Sequence, residues 1–350
     1  MKKPSKGLAA ITAQTGETYE YSLEDKMAQV FTEQFDKFCE RGMDTDEELT
    51  KWLYIQYLDV LGINHLKEVQ DEMVFFRSSS TGSCLREQTM KVIDFMEGTK
   101  KSDPRVHKQP HQTRWTALGT AGGDVMQFFV LLMEKHYERL VGEPFAFRFE
   151  RDEVGHPMFE QFTTTYKSFK SGNMQWATGG SVDGIMVFTD PDTGKEHRVG
   201  LEIKSKQTSA ARTSLYSMKE PDKKHVWQVK NYAMLHDLES YLIVYLNFSH
   251  KTWEYTSEDY TKTPDFRVFG IHITEDDKKD VTERFWTAVE HAHAGTFPEL
   301  DLSSWTFNDY KVACAKSLTL KELDRLDKIA VGKFQEQALQ EIYDIREAFR

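Results

Sequence analysis

The sequence has few cysteines and no long apolar run. Its 350 residues include 3 Cys, at positions 39, 84 and 314, which are too few and too far apart for a disulfide framework and form no CxxC pair of the zinc-binding kind. No apolar stretch reaches the roughly 18 residues that a membrane-spanning helix needs. The apolar segment within residues 1–21 is too weak for a signal peptide. We therefore expect a cytoplasmic protein with no membrane contact.

Charge and motif content narrow the possibilities further. The net charge of −11 argues against attraction of DNA or anionic lipid to the whole surface, although a local basic groove is compatible with an acidic total. The sequence has no GxxxxGK[ST] loop, so it carries no motor of the P-loop type. With 39% hydrophobic residues, the chain is long enough for one large domain with additions or for two modest domains.

Hydrophobic periodicity divides the chain into three zones. Residues 1–140 are predicted to form a mainly helical region that is integrated with the core. Its helical segments each end at a glycine, as helices often do. Residues 141–295 form the core, in which six strand-like segments are interrupted by one helical segment. Residues 296–350 form a helical extension. The fold class predicted is α/β, with a mixed central sheet flanked by helices and helical extensions at both termini.

Two of the predicted strands carry charged residues that a hairpin would bring together. Glu202 and Lys204 alternate with apolar residues, so they share the face of a strand that points away from the core. Asp183 lies early in the preceding strand, and the turn signal TDPDTGKE at 189–196 connects the two. Carboxylates and the Ile203 carbonyl are ligands that hard divalent cations prefer, and such cations screen phosphate charge and activate water.

Lys204 and a following helix extend this group of residues. Lys204 is placed to orient or deprotonate an attacking water, and we expect nearby cations and partial burial to lower its pKa. In the helical segment HVWQVKNYAMLHD, Gln228 and Tyr232 are four residues apart and project from one face. That pair could grip a phosphate or position a metal-bound water. We expect Asp183, Glu202 and Lys204 to lie on adjacent strands with their functional groups converging on one cleft.

The order Asp183, Glu202-x-Lys204 and Gln228-x-x-x-Tyr232 resembles a known nuclease signature. It is similar to the D…ExK…QxxxY pattern of the RecB-like and lambda-exonuclease-like branch of the PD-(D/E)xK nuclease superfamily. An ExK tripeptide alone occurs by chance in any charged protein, whereas the full combination is specific. The resemblance implies that these five residues are catalytic.

The match covers about residues 145–247 and implies a fold and a cofactor. The expected fold is a restriction-endonuclease-like core. The expected cofactor is Mg²⁺, for which Mn²⁺ could substitute, held by Asp183, Glu202 and the backbone carbonyl of Ile203.

An upstream segment resembles a further element of the same branch. RSSSTGSCLREQ, residues 77–88, is similar to its SxxxxCxR element, with Ser79 or Ser80, Cys84 and Arg86 at the matching positions. The resemblance implies nucleic-acid contacts by Ser80 and Arg86. A polar helix start capped by serine is the alternative reading of the same residues.

Two more matches concern additional metal ligands. LGTAGGDVMQFFVLLME resembles the RGTxxH helix of the family, but glycine or Asp124 stands near the position of the usual histidine. Asp124 or Gln127 could take its role, and a plain buried helix is the alternative. Glu150 ends the FAFRFE segment, where related enzymes can carry an auxiliary acidic residue. Asp124 and Glu150 are therefore further candidate ligands.

Some relatives hold a four-iron, four-sulfur cluster with one early and three late cysteines. Cys84 stands at the early position, but Cys314 is the one late cysteine in this sequence. Because thiolate ligation of such a cluster takes four cysteines, we expect no iron–sulfur cluster. Packing roles are expected for both residues.

The segment between the ExK strand and the QxxxY helix, residues 204–225, is polar and basic. Lys206 and Arg212 could hold a DNA backbone there. An ordinary solvated loop is the alternative. Trp115 and Tyr216 could stack on unpaired bases, or they could pack in a core.

The function expected from these features is that of a Mg²⁺-dependent DNA nuclease, acting from ends in recombination, repair or phage DNA processing. One alternative is a nucleic-acid-binding protein that keeps the nuclease fold without turnover. Another is a structure-specific or restriction-type endonuclease, although the QxxxY helix belongs to the exonuclease branch. The expected partner is DNA, and a helicase or single-strand annealing partner would be a separate protein.

Overall fold

The computed structural model describes residues 21–42, 45–99, 102–103, 109–249 and 252–348. Residues 1–20, most of the segment for which no signal peptide is expected, lie outside this part. The helices in chain order are α1 Leu23–Arg41, α2 Glu47–Leu58, α3 Lys67–Glu72, α4 Leu85–Glu97, α5 Pro110–Val141, α6 Lys223–His236, α7 Ser257–Lys262, α8 Glu275–Ala294, α9 Lys311–Ser317, α10 Leu320–Ile329 and α11 Lys333–Ala348. The strands are β1 Val74–Arg77, β2 Phe147–Phe149, β3 Thr165–Ser171, β4 Met174–Gly180, β5 Gly184–Thr189, β6 Glu196–Lys206, β7 Ser240–Asn247 and β8 Phe266–His272.

The chain divides into two compact units, each assembled from separate segments. Both units draw on the zones predicted as residues 1–140 and 141–295, and residues 296–350 all belong to the second. The first unit comprises Met1–His65, Gln109–Thr165 and Gly180–Thr274, and the second comprises Leu66–Lys108, Tyr166–Gly179 and Glu275–Arg350.

The first unit contains a five-stranded sheet in the order β2-β5-β6-β7-β8. β6 and β7 are parallel, whereas the other neighbouring pairs are antiparallel. This confirms the predicted mixed sheet within an α/β fold. The alternation of residues along β6 follows from its two environments, because Val199 and Leu201 are fully buried on one face while Glu202 and Lys204 lie on the other.

Helices pack on both faces of this sheet. On one face, α1 and α5 form the larger core with β2, β5 and β6, and Phe35 of α1 stacks on Phe266 of β8 with ring centroids 4.5 Å apart. On the other face, α6 packs Val229 and Ala233 against Tyr241 of β7. The α6 helix therefore lies over the face of the sheet that carries Glu202 and Lys204.

Helix α5 corrects one expectation from the sequence. It is the one described helix that is long and apolar enough, by length and composition, to cross a membrane. The sequence was predicted to hold no apolar run of the roughly 18 residues that span a bilayer. In the fold, Met126, Val130, Met133 and Tyr137 recur at helical spacing and are buried in the core of the first unit. This is the pattern of a helix that contributes one face to a core.

The second unit is built around a smaller sheet in the order β1-β4-β3, with β1 and β4 parallel. Trp176 of β4 is fully buried and stacks on Phe169 of β3, with ring centroids 4.2 Å apart. A separate core joins α4 to the C-terminal helices through Cys84, Cys314 and Trp305. β1 and β4 were not predicted, since β1 has 4 residues and β4 ends in two glycines.

Candidate active site

The hairpin of β5 and β6 places the first two acidic residues side by side. Gly184 pairs with Leu201 in antiparallel register, as predicted, so Asp183 immediately before β5 lies next to Glu202. The Asp183 side chain closes the arrangement, because its Oδ2 accepts a hydrogen bond of 2.5 Å from the Ile203 backbone N–H. Asp183 is therefore held at the start of β5.

Glu202 is buried, and its two carboxylate oxygens differ in their contacts. Its side chain is 1% exposed, and Oε1 forms an ion pair with Lys204 Nζ. Its second oxygen, Oε2, is buried without a hydrogen-bond partner in the part of the chain that the structure describes. Such an atom is costly unless another group or ion meets it.

Helix α6 brings its two predicted residues to the same place. Lys204 Nζ donates a hydrogen bond of 3.1 Å to Gln228 Oε1, and Gln228 Nε2 donates one of 3.5 Å to the Tyr232 hydroxyl. The five residues Asp183, Glu202, Lys204, Gln228 and Tyr232 thus form one cluster. It is more enclosed than an open cleft, since Gln228 and Tyr232 are 7% and 6% exposed.

Glu160 is a member of this neighbourhood that the sequence reasoning missed. It begins a short 3₁₀ turn, Glu160–Thr163, with a φ of 45°, a left-handed conformation that is uncommon for a residue other than glycine. Gln127 Nε2 donates both to Glu160 Oε1 at 3.2 Å and to the Asp183 carbonyl at 2.9 Å. No pattern in the sequence marks Glu160, because its place depends on a turn and on a distant helix.

Burial and neighbouring negative charge raise the pKa values of the carboxylates in the cluster. Burial, reinforced by the negative charge of Asp183, raises the pKa of Glu160 to about 7. The same two causes raise the pKa of Glu202, and burial raises that of Asp183. The site therefore concentrates negative charge where little solvent screens it.

Lys204 departs from the expectation that its pKa is lowered. Burial does act in that direction, but the negative charges of Glu202 and Asp183 outweigh it and raise the pKa above that of an ordinary lysine. Among these carboxylates Lys204 is therefore a cationic hydrogen-bond donor.

The donor set fits a hard divalent cation. In the described part of the chain no group of three Asp, Glu, His or Cys side chains forms a ready-made metal site. Asp183 and Glu202 nevertheless offer adjacent carboxylates, and the unpartnered Oε2 of Glu202 and the mutual repulsion are what a cation would relieve. The Ile203 carbonyl and water would supply the remaining ligands.

The other candidate ligands lie in different surroundings. Asp124 is exposed on α5, and its charge contributes to the raised pKa of Asp183 and Glu160. Gln127 takes part in the site as the hydrogen-bond donor described above. Glu150 is instead engaged by Arg198, whose Nε donates to Glu150 Oε2 at 3.0 Å. The structure does not bring Glu150 into the carboxylate cluster.

Ser80 and Arg86 belong to the second unit. Arg86 is fully buried, where its Nε donates to the Pro298 carbonyl at 2.7 Å and its Nη2 forms an ion pair with Glu322. Ser80 Oγ donates to the backbone carbonyl of Arg77 at 2.7 Å. The expected nucleic-acid contact by Arg86 is therefore corrected, since a guanidinium enclosed by the C-terminal segments has no surface to offer.

The basic loop and the two aromatic residues are accessible. Arg212 is exposed and Lys206 is partly so. Trp115 is 47% exposed and Tyr216 is 87% exposed, so neither packs in a core. Gln207 Nε2 donates to the Trp115 carbonyl at 3.0 Å, which ties the loop to α5.

Cys84 and Cys314 are buried in the same core cluster of the second unit. Cys84 Sγ accepts from the Asp301 backbone N–H at 3.4 Å, and Cys314 Sγ accepts from Asn308 Nδ2 at 3.6 Å. Burial raises the pKa of both thiols. These contacts are those of packing residues.

No family model and no curated protein matches the chain. Solved structures similar to it include SSO0001, which is 14% identical with a TM-score of 0.36 and is matched over 78% of this chain and 97% of its own. The alkaline exonuclease LHK-Exo from Laribacter hongkongensis is 11% identical with a TM-score of 0.34, over 65% and 93%. A phage related exonuclease from Haemophilus somnus 129PT is 10% identical with a TM-score of 0.34, over 64% and 97%.

Proposed function

We propose that this protein is a metal-dependent nuclease that hydrolyses phosphodiester bonds in DNA from strand ends. The observation that carries the proposal is the meeting of Asp183, Glu202, Lys204, Gln228 and Tyr232 through a chain of contacts. A buried cluster of carboxylates with raised pKa values beside one cation is costly to fold, and such clusters mark functional sites.

In this proposal, Asp183 and Glu202 hold Mg²⁺, or Mn²⁺ in its place. The cation supplies charge that screens the scissile phosphate and acidifies bound water. Lys204, kept protonated by the two carboxylates, donates to the phosphate or to the attacking water and orients it.

Gln228 and Tyr232 would contact the scissile phosphate. The amide N–H groups of Gln228 and the hydroxyl of Tyr232 are donors that can meet the phosphate oxygens, where negative charge develops during the displacement. Both side chains are buried and already bonded to each other, so little ordering is needed when the phosphate arrives.

The accessible residues beside β6 offer a path along which a DNA strand could bind. Lys206 and Arg212 would contact the DNA backbone, and Trp115 and Tyr216 would stack on exposed bases. A role in recombination, repair or phage DNA processing in the cytoplasm accompanies this proposal, with any helicase or annealing activity supplied by a separate partner.

A second candidate function is nucleic-acid binding without turnover. The burial of Glu202 at 1% exposure and its ion pair with Lys204 favour it, because they describe a closed rather than an open site. The presence of all five side chains favours hydrolysis. A structure-specific or restriction-type endonuclease shares the same chemistry and differs in the substrates that it cuts.

The test is incubation of the purified protein with end-labelled linear duplex and with closed circular DNA, in Mg²⁺, Mn²⁺ or EDTA. We expect degradation of the linear DNA alone, with either metal and not in EDTA. Asp183→Asn should abolish it, and Glu153→Gln, which alters an exposed carboxylate, should not. Cutting of circles would select an endonuclease. No metal-dependent cleavage of any DNA would select the binding function.

A further inference from the structure

The second unit has a pocket that is unrelated to the carboxylate cluster. It is an open pocket with a volume of about 580 Å³, which is within the range of small-molecule sites. Its lining comes from α3, β1, α4 and the residues around Tyr310. Two cations, Arg77 and Lys91, share the wall with the rings of Phe75, Phe95 and Tyr310. The combination is one of positive charge and flat apolar surface.

The two cations have no carboxylate partner among the described residues. Arg77 is exposed at the end of β1, and Lys91 on α4 is partly buried, with its Nζ 5.9 Å from the centre of the Phe76 ring. Burial, followed by the positive charge of Arg77, lowers the pKa of Lys91, against the opposing charges of Glu87 and Asp309. Their mutual repulsion would be relieved by an anion bound between them.

The acidic residue of the pocket is engaged in other contacts. Asp94 is 7% exposed, and its two oxygens accept hydrogen bonds from Thr99 Oγ1 at 2.9 Å and from the Tyr310 hydroxyl at 3.3 Å. Asp94 forms no salt bridge with Arg77 or Lys91 in the described part of the chain. The pocket therefore has a side with two cations, opposed in part by the charges of Glu87 and Asp309, and a polar side fixed by hydroxyl groups.

The aromatic rings indicate what accompanies the anion. Phe95 is 43% exposed in the pocket wall, and Tyr310 is 9% exposed. An exposed ring beside a pair of cations is the arrangement that holds a nucleobase next to its phosphate, since every base has a face that stacks. A phosphate group takes two cations readily because it presents several oxygens that carry negative charge.

We propose that this pocket binds a nucleoside monophosphate, with the phosphate between Arg77 and Lys91 and the base against Phe95 and Tyr310. The site is one of binding, and it does not depend on the proposed nuclease function.

Calorimetric titration of the full-length protein with dTMP in EDTA tests the proposal without any cleavage. We expect saturable binding of dTMP, weaker binding of inorganic phosphate, and none of thymidine at the same concentrations. Arg77→Gln and Lys91→Met should each weaken dTMP binding at least tenfold. Lys321→Gln, which removes an exposed cation elsewhere in the second unit, should leave it unchanged. Phe95→Ala should weaken binding of dTMP but not of phosphate.

Unchanged dTMP affinity in Arg77→Gln would overturn the proposal, as would equal losses in Arg77→Gln and Lys321→Gln. Loss of binding in Asp183→Asn would place dTMP at the other site. Binding of a 5′-phosphorylated oligonucleotide without binding of dTMP would assign the pocket to strand ends instead. Arg77 is exposed at the end of β1, so Arg77→Gln should not disturb the fold. It therefore tests the proposal even where Lys91→Met fails to fold.

Discussion

At the scale of single residues, the candidate site combines side chains that folding alone does not favour. Burial and like charge raise the pKa values of Asp183, Glu202 and Glu160, and one oxygen of Glu202 has no partner in the described residues. A site of this kind lowers stability and is typical of functional sites. Replacing a single carboxylate can therefore affect stability and activity in opposite directions.

Glu160→Gln gives the clearest test of this opposition. The folded-state pKa of Glu160 is raised to about 7 from an ordinary value near 4.5, so stability that is fully present below pH 4.5 is lost as the pH rises through 7. The amide cannot ionise, and we expect it to add about 1 kcal/mol to the free energy of unfolding at pH 8 and little at pH 4.5. Urea denaturation at both pH values measures this.

The matched control is Glu153→Gln, which alters an exposed carboxylate. It should change stability little at either pH. The same stability change at pH 4.5 and pH 8 in Glu160→Gln would contradict the ionisation argument. Metal-dependent cleavage should fall in Glu160→Gln, because one of the negative groups beside Asp183 is lost.

Two buried tyrosines near Glu202 form a second residue-scale test. Tyr232 accepts a hydrogen bond from Gln228, whereas the hydroxyl of Tyr241 is buried without a partner among the described residues. Tyr232→Phe removes one phosphate donor. It should therefore slow cleavage by an amount that corresponds to about 2 kcal/mol or less of lost transition-state stabilisation. Tyr241→Phe should leave cleavage near that of the wild type and raise the melting temperature. Equal rates in the two variants would remove Tyr232 from the phosphate site.

The residues that could be predicted from the sequence are those on regular elements. Glu202 and Lys204 follow strand alternation, Asp183 directly precedes the strand that pairs with theirs, and Gln228 and Tyr232 follow helical spacing. Glu160 could not be predicted, because its position depends on a left-handed turn and on Gln127 from a distant helix. The burial of Arg86 depends on the C-terminal segments that enclose it, which no local pattern reveals.

At the scale of elements, the hairpin and the parallel return strand are what make the site. β6 pairs with β5 on one side and β7 on the other, and α6 connects β6 to β7 and covers the charged face. These strands were predictable because β5 and β7 are runs of mostly apolar residues and β6 alternates apolar with charged residues. β1 and β4 lack that signal, and their strand conformation depends on pairing with each other across about one hundred residues of sequence.

The crossing of α1 over β8 gives an element-scale prediction. A Cβ atom at Gly270 would lie 2.1 Å from the backbone oxygen of Glu24, so the helix and the strand would have to separate. We expect Gly270→Ala to destabilise the protein by about 2–3 kcal/mol. Gly123→Ala is the control, because a Cβ there meets nothing within 4 Å and alanine favours the α5 helix by up to about 1 kcal/mol. Thermal unfolding compares the two, and equal melting temperatures would refute the close approach.

At the scale of the whole molecule, the proposed function requires an acidic protein to bind an acidic polymer. The net charge of −11 repels DNA at long range, so attraction depends on a few local cations and on any metal ion at the carboxylates. The carboxylates of Asp183 and Glu202 then have opposite effects on DNA binding with and without a divalent cation. Without one they repel the phosphate, and with one they hold the charge that attracts it.

We therefore predict that the difference in DNA affinity between the wild type and Asp183→Asn changes sign between EDTA and Ca²⁺. In EDTA, Asp183→Asn should bind duplex DNA at least as tightly as the wild type, because a negative charge is removed. With Ca²⁺, which lets the complex form without testing catalysis, the wild type should gain affinity and Asp183→Asn should gain less.

Arg212→Gln should weaken binding in both conditions and reduce the slope of log affinity against log salt by roughly 1, as loss of one phosphate contact does. Fluorescence anisotropy at about 50 and 200 mM salt measures all three proteins. Weaker binding by Asp183→Asn in EDTA would mean that this carboxylate supports the fold of the DNA-binding surface, and it would contradict the assignment of Asp183 as a metal ligand.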